Sequence, residues 1–233
     1  MSSKPGSGEL SVYATVAEAQ AACADFLLSS LADALSASTG RVAFAVSGGS
    51  TPRPTYELMS ASRAIDWERV DVFFVDDRCV APEDKDSNYK LVMDSLGAKV
   101  PVRVVRMEGE RKDREAAAAA YAKALPRRID VMLLGMGPDG HTASLFPGHA
   151  SLASHARVLF EAASPKPPPE RLSLGPHVIR EAGIVVMLVT GKDKAAMVAK
   201  ARAAGSIDEV PARLARDGTW FIDEAAGGGS SES

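Results

Sequence analysis

Residues 129–148 read IDVMLLGMGPDGHTASLFPG. The first six are apolar with a single interruption at Asp130, which suits a strand buried on both faces rather than wet on one. Gly135, Gly137, Pro138 and Gly140 then break the run, a combination that turns a chain sharply. The turn presents one imidazole, His141, with the carboxylate of Asp139 two positions before it. A buried strand that ends in such a turn belongs in an open α/β sheet, where ligands bind outside the C-terminal ends of the strands.

The same signature recurs on either side. Short β-branched and apolar runs, most of them continuous, occupy residues 42–46, 70–75, 102–107, 158–162 and 184–190. Between them, residues 16–35 carry apolar side chains at helical spacing, and residues 114–125 are rich in alanine, the strongest helix former. Residues 87–96 and 193–203 read as helices as well. Strands alternating with helices predict an α/β fold: one domain with an open, mostly parallel, Rossmann-like sheet covered by helices on both faces. No internal repeat is present. The proline-rich SPKPPPERLS of residues 164–173 is followed by one further strand pattern, which completes the sheet rather than founding a second unit. The domain is expected over residues 11–224, with residues 1–10 and 225–233 as flexible tails.

A chain of 233 residues is long enough for one sizeable core. Its 46% hydrophobic and 24% charged residues are ordinary for a soluble globular protein. A net charge of −3 gives no electrostatic footprint for nucleic acid or for an anionic membrane. No apolar run approaches the ~18 residues of a membrane helix. The opening MSSKPGSGEL lacks the hydrophobic region of a secretory signal. Cys23 and Cys79 are too few for a disulfide framework, so a reducing, cytoplasmic setting is expected. These readings leave a small-molecule ligand, no nucleic acid, no membrane, and a monomer or small homo-oligomer.

Three motifs stand at strand ends. After the run 42–46 come Gly48, Gly49, Ser50 and Thr51, and then a helix that Pro52 or Pro54 can open. Glycines admit close backbone approach, hydroxyls add donors, and a helix N-terminus favours an anion such as a phosphate monoester. The Gly-Lys-Ser/Thr ending of a nucleotide-binding P-loop is missing, and a plain glycine-rich turn is the competing reading. After the run 70–75 come Asp76, Asp77 and Arg78. Arginine offers a fork of donors to phosphate or carboxylate, which the aspartates orient unless one of them handles protons. A surface salt-bridge cluster is the alternative, and Ser87 is a cap for the helix that holds Asn88 and Tyr89. The third motif holds His141, a general base at neutral pH, with Asp139 placed to orient it. The remaining histidines, His149, His155 and His177, have no such context. No Cys/His cluster has zinc-like spacing, so no metal is assigned.

In order and spacing, SGGSTP (47–52), DDR (76–78) followed by SNY (87–89), and LGMGPDGHTASLFPG (134–148) together resemble the 6-phosphogluconolactonase family. The family shares its sugar-phosphate isomerase/deaminase type of scaffold with glucosamine-6-phosphate deaminases. PKPPPERLSL (165–174) and VTGKDKA (189–195) extend the likeness, which covers residues 12–224. The resemblance implies hydrolysis of 6-phospho-D-glucono-1,5-lactone in the oxidative pentose phosphate pathway, with no cofactor. It implies that Gly48, Gly49, Ser50 and Thr51 cradle the phosphate and that Arg171 and Lys194 add positive charge to it. It makes His141 the base with Asp139 beside it and Arg78 near the reacting end, while Asp76 acts on substrate or holds Arg78. Two departures stand out: Asp77 replaces the family's usual glutamate, and Gly175-Pro176-His177 puts the start of a helix after RLSL in question. A deaminase would need a glutamate in the loop after the histidine, where this chain has Phe146. A sensor that binds without turnover would not need Asp139 and His141.

Overall fold

The computed structural model describes residues 8–229. In chain order its elements are β1 (Leu10–Tyr13), α1 (Val16–Ala37), β2 (Val42–Val46), α2 (Arg53–Ala61), β3 (Val70–Phe74), β4 (Asp76–Arg78) and α3 (Asn88–Val92). A π-helical turn, Met93–Gly97, prolongs α3. There follow β5 (Arg103–Val104), α4 (Arg114–Ala124), β6 (Val131–Leu134), β7 (Val158–Glu161), β8 (Arg171–Leu174), α5 (Pro176–Arg180), β9 (Ile184–Val189), α6 (Ala195–Arg202) and β10 (Thr219–Asp223).

Seven strands make one parallel sheet in the order β1-β10-β9-β6-β2-β3-β5. Every residue of β2, β3 and β6 is buried, as their apolar runs require, Asp71 of β3 being the one charged residue among them. α1 starts at a capping box, in which Thr15 Oγ1 accepts from Glu18 N and Glu18 Oε2 accepts from Thr15 N. Its buried stripe of Cys23, Leu27 and Leu31 lies along the sheet, against β1, β2, β9 and β10. From β2 the chain travels outward through β3 to β5, then returns to the other side of β2 and travels outward again through β6, β9 and β10. β2 and β6 are therefore neighbours whose following loops leave in opposite directions, the crevice where such folds bind ligands.

A second sheet of three antiparallel strands, β4-β8-β7, stands beside the first. Val75 joins the two: its N–H donates to Val46 O (3.0 Å) and its carbonyl accepts from Leu174 N (2.8 Å). The run at 158–162 thus forms a strand of this small sheet and not of the parallel one. β1, β4, β8 and β10 are strands the apolar runs did not mark, and the run at 102–107 shrinks to the two residues of β5. The 193–203 segment begins one residue early, as the 3₁₀ turn Lys192–Lys194. Gly175 is the N-cap of α5 with Pro176 in its first turn, so Gly175-Pro176-His177 does start a helix. A side chain at Gly175 would meet Ala156 O at 2.0 Å.

The expected tails lie outside the described residues at 1–7 and 230–233. Within them the domain reaches further than expected: Glu9 O accepts from Trp220 N (2.8 Å), Leu10 opens β1, and Ala226 is buried with its N–H on Asp223 Oδ1.

Candidate active site

The loop between β2 and α2 is braced from below. Ser47 Oγ donates to Leu133 O (2.7 Å), Tyr56 Oη donates to Ser47 O (2.7 Å), and Gln20 Nε2 donates to Thr51 O (2.9 Å). Gly49 sits at φ 98°, in the left-handed region that favours glycine. Among the described residues, the backbone N–H groups of Gly48, Gly49, Ser50 and Thr51 donate to no acceptor in the chain. No side chain caps α2, so its first amides add to this row of donors. Consecutive free amides ahead of a helix make an anion-binding concavity.

The two aspartates of the second motif divide their duties. Asp77 faces the backbone: its Oδ1 accepts from Asn88 N (2.7 Å) and Arg78 N (2.8 Å), and its Oδ2 from Tyr89 N (3.1 Å). Burial pushes its carboxyl up to about 6 despite these three donors. Asp77 thus pins the start of α3, where Ser87 Oγ, the expected cap, accepts from Lys90 N. Asp76 faces the crevice. Its Oδ2 accepts from Ser144 Oγ (2.6 Å) and its Oδ1 from Asn88 Nδ2 (3.2 Å), which also donates to Asp76 O (2.9 Å). Neither carboxylate pairs with the Arg78 guanidinium, contrary to the expectation that they orient it. Arg78 Nη1 donates instead to Asp86 O (2.6 Å), and its buried Nε has no partner among the described residues.

After β6 the chain turns so tightly that Gly137 N donates to His141 O (2.9 Å). A β-carbon on Gly137 would lie 2.1 Å from the His141 ring and 2.6 Å from Asp139 Oδ1, so only glycine fits. His141 Nδ1 lies 2.5 Å from Asp139 Oδ1. Partial burial pushes the Asp139 carboxyl up, but the hydrogen bond and charge of His141 override it and hold that carboxyl well below the usual carboxylate range. An ionised carboxylate only accepts, so Nδ1 is the ring nitrogen that donates to Asp139, and Nε2 is the one turned away from it. Lys166 Nζ stands 3.8 Å from the other carboxylate oxygen. Phe146, fully buried, lies under the imidazole with ring centroids 4.7 Å apart. His149, outside this motif, pairs with Glu161.

Arg171 is 4% exposed, with its guanidinium 5.8 Å over the Phe146 ring. Its Nε and Nη2 hold the carbonyls of Pro168, Lys166 and Pro167, which leaves Nη1 for a ligand. Lys194 pairs with Asp193 in the 3₁₀ turn before α6. All the expected site residues except Asp139 line one cavity of about 270 Å³. Asp139 stands behind His141, where an orienting group belongs. The cavity is also lined by residues to which the sequence motifs assign no site role, among them Asn88, inside the SNY motif at a helix start, and Ala143. Burial pushes the Cys79 thiol up to about 11, which leaves it protonated and a poor nucleophile at neutral pH. Among the described residues no group of three or more His, Cys, Asp and Glu is arranged to hold a metal, and no helix is long and apolar enough to cross a membrane. The cavity brings together open backbone amides, the cationic side chains of Arg78, Arg171 and Lys194, and the His141 imidazole.

The family model for glucosamine-6-phosphate isomerases/6-phosphogluconolactonase matches residues 14–222. The chain is 38% identical over 219 residues to "Probable 6-phosphogluconolactonase 4, chloroplastic" of Oryza sativa subsp. indica, covering 82% of this chain and 68% of that one. The crystal structure of a 6-phosphogluconolactonase from Shewanella baltica superposes with a TM-score of 0.81 at 27% identity, over 94% of this chain and 99% of the other. A monomeric glucosamine-6-phosphate deaminase superposes with a TM-score of 0.81 at 20% identity, over 94% and 99% of the two chains, a likeness of fold alone.

Proposed function

This chain belongs to the family of glucosamine-6-phosphate isomerases and 6-phosphogluconolactonases, and from that premise we propose that it hydrolyses 6-phospho-D-glucono-1,5-lactone to 6-phospho-D-gluconate. The observation that carries the reading is that His141, backed by Asp139, shares one cavity with the open amides of residues 48–51. The 6-phosphate sits on Gly48, Gly49, Ser50 and Thr51, with Nη1 of Arg171 and, once released from Asp193, Nζ of Lys194. That anchor holds the lactone carbonyl near His141, and such positioning lowers a barrier by several kcal/mol.

His141 Nε2 takes a proton from water while the water oxygen bonds to the carbonyl carbon. Asp139 stabilises the imidazolium and keeps the ring in its tautomer. Negative charge gathers on the carbonyl oxygen, near Arg78. As the tetrahedral intermediate collapses, the bond from carbon to ring oxygen breaks and the imidazolium returns its proton to that oxygen. General-base assistance of this kind is worth ~10²–10⁴-fold. Asp76, held on both oxygens by Asn88 and Ser144, acts as an acceptor for a substrate hydroxyl. Cys23 and Cys79 are free thiols, in keeping with a reducing, cytoplasmic setting.

A deaminase reading is weaker because Phe146 is buried against His141 and has no proton to give. The test follows loss of freshly made lactone against its uncatalysed background, with ammonia release from glucosamine 6-phosphate in parallel. Accelerated lactone loss without ammonia is expected, and His141→Ala lowers kcat by at least ~10²-fold. Unchanged turnover in that variant removes His141 from the mechanism.

A further inference from the structure

Ala143, two residues after His141, has a left-handed backbone at φ 49°, a conformation that L-residues avoid. Its surroundings impose it. Before it, Thr142 Oγ1 donates to Gly135 O (2.8 Å) and Thr142 O accepts from Leu145 N (3.0 Å). After it, Ser144 N donates to Ser173 Oγ (3.2 Å) and Ser144 Oγ to Asp76 Oδ2 (2.6 Å). Leu145 and Phe146 are fully buried. With both flanks anchored, the peptide between Thr142 and Ala143 is held in one orientation. Strain kept by an over-determined environment concentrates where a site needs a fixed geometry.

Two further observations give that strain a use. Ala143 lines the same cavity as His141 and Arg78. Its N–H, like those of residues 48–51, donates to no acceptor among the described residues. A lactone carbonyl that becomes tetrahedral beside His141 needs donors already in place, because fixed backbone dipoles need no reorganisation as charge develops.

We infer that the backbone N–H of Ala143 is a catalytic donor to the lactone carbonyl oxygen and shares its developing charge with Arg78. This inference rests on the lactonase reading. In the step it serves, the water oxygen bonds to carbon, the carbonyl π pair moves onto oxygen, and the water proton goes to His141 Nε2. The N–H of Ala143 lends a hydrogen bond and transfers nothing. When the pair returns, the ring C–O bond breaks and the proton leaves His141 for the ring oxygen.

The decisive variant replaces Ala143 by lactic acid through a suppressor tRNA, exchanging the amide N–H for an ester oxygen and keeping the methyl group. Losing one oxyanion donor lowers kcat by ~10²–10³-fold. KM and the pH at which the rate falls on the acid side stay at their wild-type values, because the phosphate loop and the base are untouched. A second measurement needs no variant: on titrating the ¹⁵N-labelled wild-type protein with 6-phosphogluconate, whose carboxylate takes the carbonyl position, the Ala143 amide proton moves downfield. A folded ester variant with unchanged kcat overturns the inference alone, and so does an Ala143 amide that does not respond to the bound product. A wild-type protein inert to the lactone overturns the functional reading, and this inference with it.

Discussion

The side-chain amide of Asn88 fills the space that a side chain on Gly48 would need: a β-carbon there would lie 1.8 Å from Asn88 Oδ1. Asn88 has nowhere to retreat. It is 2% exposed, its Nδ2 is bonded to Asp76, and its N–H is clamped by Asp77 Oδ1. The start of α3 and the amide-lined loop are fitted to one another through this contact.

Gly48→Ala must therefore displace the loop. We expect KM for the phosphorylated lactone to rise about 10-fold or more, within the ~10²-fold that a ~1 Å misplacement can cost, with a smaller fall in kcat because His141 rides on another loop. Steady-state kinetics on a variant with a wild-type circular dichroism spectrum checks this. An unchanged KM would detach residues 48–51 from phosphate binding.

Phe146 supports the imidazole from beneath and lies under the guanidinium of Arg171. Phe146→Ala leaves a cavity between the His141 imidazole and the Arg171 guanidinium, and truncating a buried phenylalanine costs ~3–5 kcal/mol. Urea unfolding should show that loss, and kcat should fall because the His141 ring loses the packing that limits its movement. A fall in stability with full activity would show that Asp139 alone orients the ring.

Two carboxylates give the fold opposite responses to acid. Asp77, with its pKa raised to about 6, binds a proton in the folded state before it does in the unfolded chain. Stability from this group is therefore gained as pH falls from about 6 towards ~4, and absent above, with a slope of up to ~1.4 kcal/mol per pH unit. Asp139 works the other way. Its depressed pKa contributes stability that is present above the ordinary carboxylate range and lost below it. Asp77→Asn should remove the gain between pH 6 and 4 while leaving the loss at lower pH. Urea midpoints of both proteins at pH 7, 5 and 3 measure it, and parallel curves between pH 7 and 5 would refute the assignment to Asp77.

Much of this was legible in the chain. β2, β6 and β9 announce themselves as unbroken apolar runs, and β3 as a run broken only at Asp71, because both faces of the parallel sheet are covered. β1 does not, since Leu10 and Val12 are exposed at an edge and its four residues alternate. β4 and β8 hide for a different reason: they are built from the charged and polar residues of the site, and pair antiparallel with Arg78 opposite Arg171. The three motifs could be assigned to strand ends by sequence alone. Which aspartate serves the backbone and which the crevice could not, because Asp76 and Asp77 differ only in the face of β4 they occupy. The SNY motif does not reveal the place of Asn88 in the site, since its burial depends on contacts with Asp76 and Gly48 that lie 12 and 40 positions away.

The register that sets Leu10 opposite Trp220 has a consequence for biosynthesis. Among the described residues β1, the earliest strand in the chain, has β10, the latest, as its one sheet neighbour. During elongation β1 therefore waits unpaired, and β9 is the provisional border of the sheet, with its N–H and C=O groups open to association with other nascent chains. Completion of β10 covers β9, engages β1 and closes both hazards in one event.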